Sequence, residues 1–174
     1  MEKRMIGFGD FMVRLSPPGY ERFIQASHFA VNYTGAEANV CVALAHMGMK
    51  TGFVTRLPDN DISHAGIAEL RKHGVGTEQI VFGGDRIGVF YLEKGAAQRP
   101  SKIVYDRKYT SVATGGSECY NWNEIFRSGS WFHLTGITPA LSKTIPAVCI
   151  NACRKAREMG LTVSLDLNYR KNLW

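Results

Sequence analysis

Thr34-Gly35-Ala36-Glu37-Ala38-Asn39-Val40, running on to Ala43-Leu44-Ala45-His46-Met47-Gly48, is the stretch on which the fold turns. Its apolar residues Ala36, Val40, Ala43, Leu44 and Met47 recur with helical spacing, so a helix is predicted to open at Gly35 and stop at Gly48. Small residues at the helix start let a ligand approach the backbone, and the free N–H groups there face outward toward oxygen acceptors. Asn39 can both donate to and accept from a polyol. Ordinary helix initiation, with Glu37 near the positive dipole end, explains the same residues equally simply.

On the N-terminal side, Met5 to Gly9 reads as a buried strand. Phe11 to Leu15 continues it until Ser16-Pro17-Pro18-Gly19 breaks it, and Phe23 to Val31 is predicted to add one or two more strands. On the C-terminal side, Thr51 to Arg56 is a strand, and the turn Pro58-Asp59-Asn60-Asp61 caps a helix over Ile62 to His73. The pattern then changes. Gly83-Gly84-Asp85 signals a turn between strands at Ile80–Phe82 and Ile87–Glu93, and Ser101 to Arg107 follows as an antiparallel strand. Asn121 is predicted to cap a short helix, and Trp131 to Leu134 to form a strand. A long helix from Ser142 carries Ile145, Val148, Cys149, Ala152, Ala156 and Met159 on one face. Gly160 stops it, and Thr162 to Leu167 is a last strand. The fold class is therefore α/β: a partial doubly wound sheet with helices on both faces, carrying a small β-sheet lid built near residues 11–31 and 87–107.

Composition narrows the function. The chain has 174 residues, of which 45% are hydrophobic and 21% charged, enough to bury a core and unlike collagen or a disordered tail. No apolar run is long enough for a membrane helix, and the first residues carry no apolar signal region, so a cytoplasmic location without membrane partners is expected. Cys41, Cys119, Cys149 and Cys153 form no C-x-x-C pair, which makes buried free thiols the expectation and zinc an outlier. The net charge of +6 invites a nucleic-acid reading. The basic residues are dispersed rather than blocked, however, which favours an enzyme acting on an anionic substrate, with no nucleic-acid partner.

Gly7-Phe8-Gly9-Asp10-Phe11-Met12 begins like a dinucleotide fingerprint, but methionine occupies the third glycine position and a strand follows instead of a helix. Asp10 at the end of the first strand reads either as a ligand for a substrate hydroxyl or as a turn aspartate.

Gly35-Ala36-Glu37-Ala38-Asn39-Val40 with Ala43 to Gly48 resembles the N-terminal signature of the ribokinase-like (PfkB) carbohydrate kinases. Three further stretches resemble the 2-keto-3-deoxygluconate kinases within that family: Leu92 to Arg107, His133 to Ser142, and Ser164 to Arg170. The resemblance implies a three-layer α/β/α kinase domain of which residues 1–174 are the N-terminal, sugar-binding part. It implies a sugar-acid substrate, ATP with Mg²⁺ as phosphoryl donor, and a homo-oligomer formed through the lid. By resemblance, Asp10, Gly35, Ala36, Glu37, Ala38 and Asn39 line the sugar pocket from the main domain. Phe90, Tyr105 and Arg107 reach in from the lid, and Ile137 and Arg170 follow later strands. Arg107 or Arg170 would hold the carboxylate, which a guanidinium does better than an ammonium. Asn168 and Arg170 would lie toward the transferred phosphate. Two positions depart from the family pattern: Thr34 replaces a common glycine, and Phe90 replaces a common tyrosine, at a loss of one hydrogen bond worth about 0.5–1.5 kcal/mol. The family's Gly-Ala-Gly-Asp motif, whose aspartate is the catalytic base, does not occur in the 174 residues. Gly83-Gly84-Asp85 imitates it but leads into a strand. No catalytic residue and no metal ligand is therefore expected in this chain. Fructose or ribose phosphorylation, and sugar binding without catalysis, are the alternative readings.

Overall fold

The computed structural model describes residues 3–174. The strands are β1 (Arg4–Phe8), β2 (Met12–Ser16), β3 (Ala30–Thr34), β4 (Lys50–Val54), β5 (Arg56–Leu57), β6 (Val75–Gly76), β7 (Val81–Phe82), β8 (Gly88–Glu93), β9 (Lys102–Asp106), β10 (Trp131–Thr135) and β11 (Thr162–Asp166). The α-helices are α1 (Ala36–His46), α2 (Asp61–Lys72), α3 (Ser111–Thr114), α4 (Trp122–Phe126) and α5 (Ile145–Glu158). Five parallel strands make the main sheet in the order β11-β10-β1-β4-β6. Four others make the lid, β3-β2-β8-β9, in which β2 and β8 run parallel and the outer pairs antiparallel.

Successive side chains of a strand point to opposite faces, so each central strand supplies two cores. Ile6, Phe8, Val54, Phe132 and Leu134 pack against α4 and α5. Met5 and Phe53 pack on the other face with Ala38 and Cys41 of α1 and Ile67 and Leu70 of α2. This is the predicted α/β architecture, with helices on both faces. Of the cysteines, Cys41 and Cys149 are buried, Cys119 and Cys153 are half-buried, and all four are free. Among the described residues no helix is long and apolar enough to cross a membrane.

Helix boundaries follow local chemistry. The Asn60 side chain accepts the Ser63 N–H (2.9 Å) and starts α2, and Asn121 caps α4 through the Glu124 N–H (3.3 Å). Gly48, Gly74 and Gly160 end three helices with φ of 84°, 78° and 80°, a left-handed turn that glycine makes without a Cβ penalty.

Five expectations are corrected. Residues 23–29 form turns instead of a strand, and only Ala30–Thr34 pairs with β2. Thr51–Arg56 is not one strand: it breaks at Thr55, and β5 leaves the main sheet. The strand expected at Ile80–Phe82 narrows to Val81–Phe82, which pairs in parallel with β5, and the expected turn at Gly83-Gly84-Asp85 leads on to β8. The last long helix starts at Ile145, since Ser142 uses its hydroxyl to bond the Ala113 carbonyl (2.6 Å) and receive the Ile145 N–H (3.4 Å). The fifth concerns α1, whose buried residues are Glu37, Ala38 and Cys41, while Ala43 and Met47 face solvent. Alanine and valine surround this helix, so its apolar stripe has little contrast, and a polar anchor decides which side turns inward.

Candidate functional site

That anchor is Glu37. Its Oε1 accepts the Thr135 N–H (2.9 Å), the Thr135 hydroxyl (2.9 Å) and the Thr138 hydroxyl (2.7 Å). Burial pushes its carboxyl above the ordinary range, against the pull of those donors, Thr138 first. Gly9 lies so close that a Cβ there would overlap the Glu37 carboxyl group. Glu37 thus gathers the start of α1 and the ends of β1 and β10 at one point, at the carboxyl ends of the main-sheet strands where open α/β folds bind ligands.

Gly35 brings the helix start equally close. A Cβ on Gly35 would sit 2.2 Å from the Asp10 carbonyl oxygen, backbone that cannot swing aside. Gly35→Ala is expected to destabilise the chain by about 1–3 kcal/mol, the usual range for overpacking, and urea denaturation of the variant checks it.

Asp10 is 3% exposed and binds Arg107 through Oδ2 and Nη2 at 2.7 Å, the two lying 97 residues apart. Burial raises the Asp10 carboxyl and the Arg107 charge opposes it. Asp10 Oδ1 and Arg107 Nε are buried with no hydrogen-bond partner. The Arg107 guanidinium lies 5.4 Å from the centroid of the Tyr105 ring, which sits 5.6 Å from that of Phe90. The pair therefore ties the lid to the main sheet, with a row of rings beside it.

These residues enclose a cavity of about 120 Å³ lined by Asp10, Met12, Thr34, Gly35, Ala36, Glu37, Asn39, Phe90, Tyr105, Arg107, Ile137 and Arg170. Gly136 places the last two. A Cβ there would lie 2.2 Å from the Leu167 carbonyl, and the Trp174 indole N–H donates to the Gly136 carbonyl (3.1 Å), so the segment after β11 folds back over the segment after β10.

Nine of the ten expected lining residues from Asp10 to Ile137 share this wall. The exception is Ala38, which the helical rotation turns into the core beside Cys41. Arg170 joins the wall, whereas Asn168, with φ of 38° and its N–H bonded to Asp166 Oδ1 (3.0 Å), does not. Met12 and Thr34 were missed as lining residues. The alternation of β2 was the available signal for Met12. The Thr34 hydroxyl donates to Asn39 Oδ1 (3.0 Å), which leaves the Asn39 NH₂ as its free polar group. A larger cavity of about 350 Å³ opens beyond Asn39, lined by Phe11, Tyr33, Glu69 and His73 among others, but no arginine or lysine lines it. The smaller cavity gathers the cations and the mixed donors and acceptors.

Matching against protein families aligns residues 3–174 with the model of the pfkB family carbohydrate kinases. The chain belongs to that family. It is 38% identical over 176 residues to a 2-dehydro-3-deoxygalactonokinase of Haloferax volcanii, covering 100% of this chain and 54% of that protein. It is 27% identical over 175 residues to a 2-dehydro-3-deoxygluconokinase of Bacillus subtilis, again covering 100% of this chain and 54% of the relative. The crystal structure of a 2-dehydro-3-deoxygluconokinase from Thermotoga maritima superposes with a TM-score of 0.97 at 47% identity, over 99% of this chain and 53% of that one. The chain thus spans about half the length of the relatives it matches. Kinases of this family use ATP. Here, among the described residues, no three His, Cys, Asp or Glu side chains gather to hold a metal ion. Of the two residues expected near phosphate, only Arg170 reaches the cavity. The described residues thus offer no carboxylate or histidine cluster fitted to a metal ion.

Proposed function

We propose that this chain is the sugar-binding part of a kinase that phosphorylates 2-keto-3-deoxygluconate with ATP and Mg²⁺. The supporting observation is the cavity in which Asp10, Asn39, Tyr105, Arg107 and Arg170 converge from both sheets. A keto-deoxy sugar acid needs cations for its carboxylate and both donors and acceptors for its hydroxyls. Asp10 Oδ1 accepts, the Asn39 NH₂ donates, and the Tyr105 hydroxyl does either. The N-terminus of α1 adds backbone N–H groups and a positive dipole end. The relatives carry two sugar-acid names that differ in the configuration of one hydroxyl, so the choice between gluconate and galactonate forms falls to Thr34, Asn39 and Phe90.

The phosphoryl donor, the catalytic base and Mg²⁺ belong to the rest of such a kinase. The isolated chain is expected to show no turnover in a coupled ATP assay with the sugar acid. Turnover at rates ordinary for kinases, on the order of 1–100 per second, would overturn that division of labour. A substrate panel tests the substrate: the acid should bind more tightly than fructose or ribose, and a preference for either neutral sugar would replace it. In the same reading the lid mediates a homo-oligomer in the cytoplasm. Val31, Ile103 and Val104, exposed by 57%, 46% and 45%, are the apolar residues it would cover, and light scattering on the eluted protein reads its mass.

A further inference from the structure

Arg14 on β2 stands apart from the other arginines of the lid. Arg86 pairs with Asp106, Arg99 with Glu93, and Arg107 with Asp10. Arg14 has no ion-pair or hydrogen-bond partner among the described residues, and its Nε is buried without an acceptor. Buried donors are almost always satisfied, so an orphaned guanidinium N–H calls for an explanation.

Strand register locates it. Arg14 stands opposite Asn32 of β3 on one side and Phe90 of β8 on the other, and Phe90 in turn faces Tyr105 of β9. Side chains two apart on a strand share a face, so Met12 and Arg14 lie on one side of the lid while Val13 and Leu15 pack into the core on the other. Met12, Phe90 and Tyr105 all line the cavity. Arg14 therefore belongs to the cavity-facing side, about 6.6 Å farther out along β2 than Met12.

Charge sets Arg14 apart from Arg107, the other arginine of the lid near the cavity, while Arg170, also without an ion pair among the described residues, enters the wall from the segment after β11. Arg107 is 9% exposed and already neutralised by Asp10. Arg14 has no ion-pair partner among the described residues and stands in register with Phe90, which is itself in register with Tyr105. We propose that Arg14 is a specificity-determining residue that receives the carboxylate of a sugar acid held in the cavity, with its Nε–H and one Nη–H forming the two parallel bonds of a guanidinium–carboxylate pair. The assignment rests on the sugar-acid reading above. In this arrangement the hydroxyl end of the acid meets Asp10 and Asn39, and its carboxylate lies outward beneath the lid. A sugar with CH₂OH in place of the carboxylate leaves Arg14 unpaired.

Calorimetric titration of the 174-residue chain with 2-keto-3-deoxygluconate and with 3-deoxyfructose, its neutral counterpart, tests this. Arg14→Met is expected to weaken binding of the acid roughly ten- to hundred-fold, the loss typical of a charged hydrogen-bonding partner, and to shift the neutral sugar by less than about two-fold. Arg14→Lys is expected to fall between. A measurement on the unaltered chain guards against misfolded variants: the bound acid should slow modification of Arg14 by phenylglyoxal, followed by mass spectrometry. If the chain binds the acid but Arg14→Met keeps the acid-to-neutral ratio, or the acid leaves Arg14 modification unchanged, the assignment falls and the sugar-acid reading stands. If the unaltered chain binds no sugar acid, both fall.

Discussion

Arg107→Met is expected to destabilise the chain by about 3–5 kcal/mol, the range for removing one partner of a buried ion pair. The pair qualifies because both side chains are almost out of water, 9% and 4% exposed, so little solvent screening softens the loss. The variant leaves Asp10 as an isolated carboxylate in the core. Burial already raises the Asp10 carboxyl, and Arg107 is the group that opposes the rise. A carboxyl whose folded pKa lies above its unfolded value holds its proton longer when folded, so its contribution to stability declines as pH rises past the unfolded value. Losing Arg107 widens that gap. Arg107→Met should therefore melt lower than the unaltered chain by about 10 °C or more at pH 8, with a smaller deficit at pH 5. Adding Asp10→Asn should recover much of the loss. Melting within about 2 °C of the unaltered chain at both pH values would show that the pair does not hold lid and sheet together.

The second large effect is at Glu37. Glu37→Ala removes the acceptor shared by the Thr135 N–H and the Thr135 and Thr138 hydroxyls. The hydroxyls can turn to new partners, but the backbone N–H cannot, and an unsatisfied buried donor costs about 1–3 kcal/mol. The cavity left by the missing carboxyl group adds to this, for a total of about 3–5 kcal/mol. Glu37→Gln keeps an oxygen in the Oε1 position and should lose less than half as much. Urea denaturation of the two variants separates the explanations. Equal losses would mean that the negative charge matters and the three-donor hub does not.

Local signals in the sequence carried over well into the structure. Asn60 and Asn121 announce helix starts, and Gly48, Gly74 and Gly160 announce stops, because caps depend on one or two neighbouring residues. The cavity wall was largely legible too, but through family resemblance and not through spacing. What stayed hidden depends on partners distant in the chain. Nothing near Asp10 announces an arginine 97 residues away, and nothing near Glu37 announces Thr135 and Thr138. Hence α1 was rotated wrongly, and Ala38 was assigned to the cavity when it packs in the core. Nothing near Arg14 announces the register of β2 against β3 and β8 that puts it in line with Asn32, Phe90 and Tyr105. The pairing of β7 with β5 through Arg56↔Val81 and Leu57↔Phe82 is likewise a contact that no local pattern specifies.

On the proposed reading, this chain binds a sugar acid without a nucleotide. Isothermal titration of the purified chain with 2-keto-3-deoxygluconate and, separately, with MgATP tests it most directly. The expected result is one-to-one binding of the sugar acid, unchanged by added MgATP, and no heat from MgATP alone. Silence with the sugar acid, or saturable MgATP binding without it, would contradict the account.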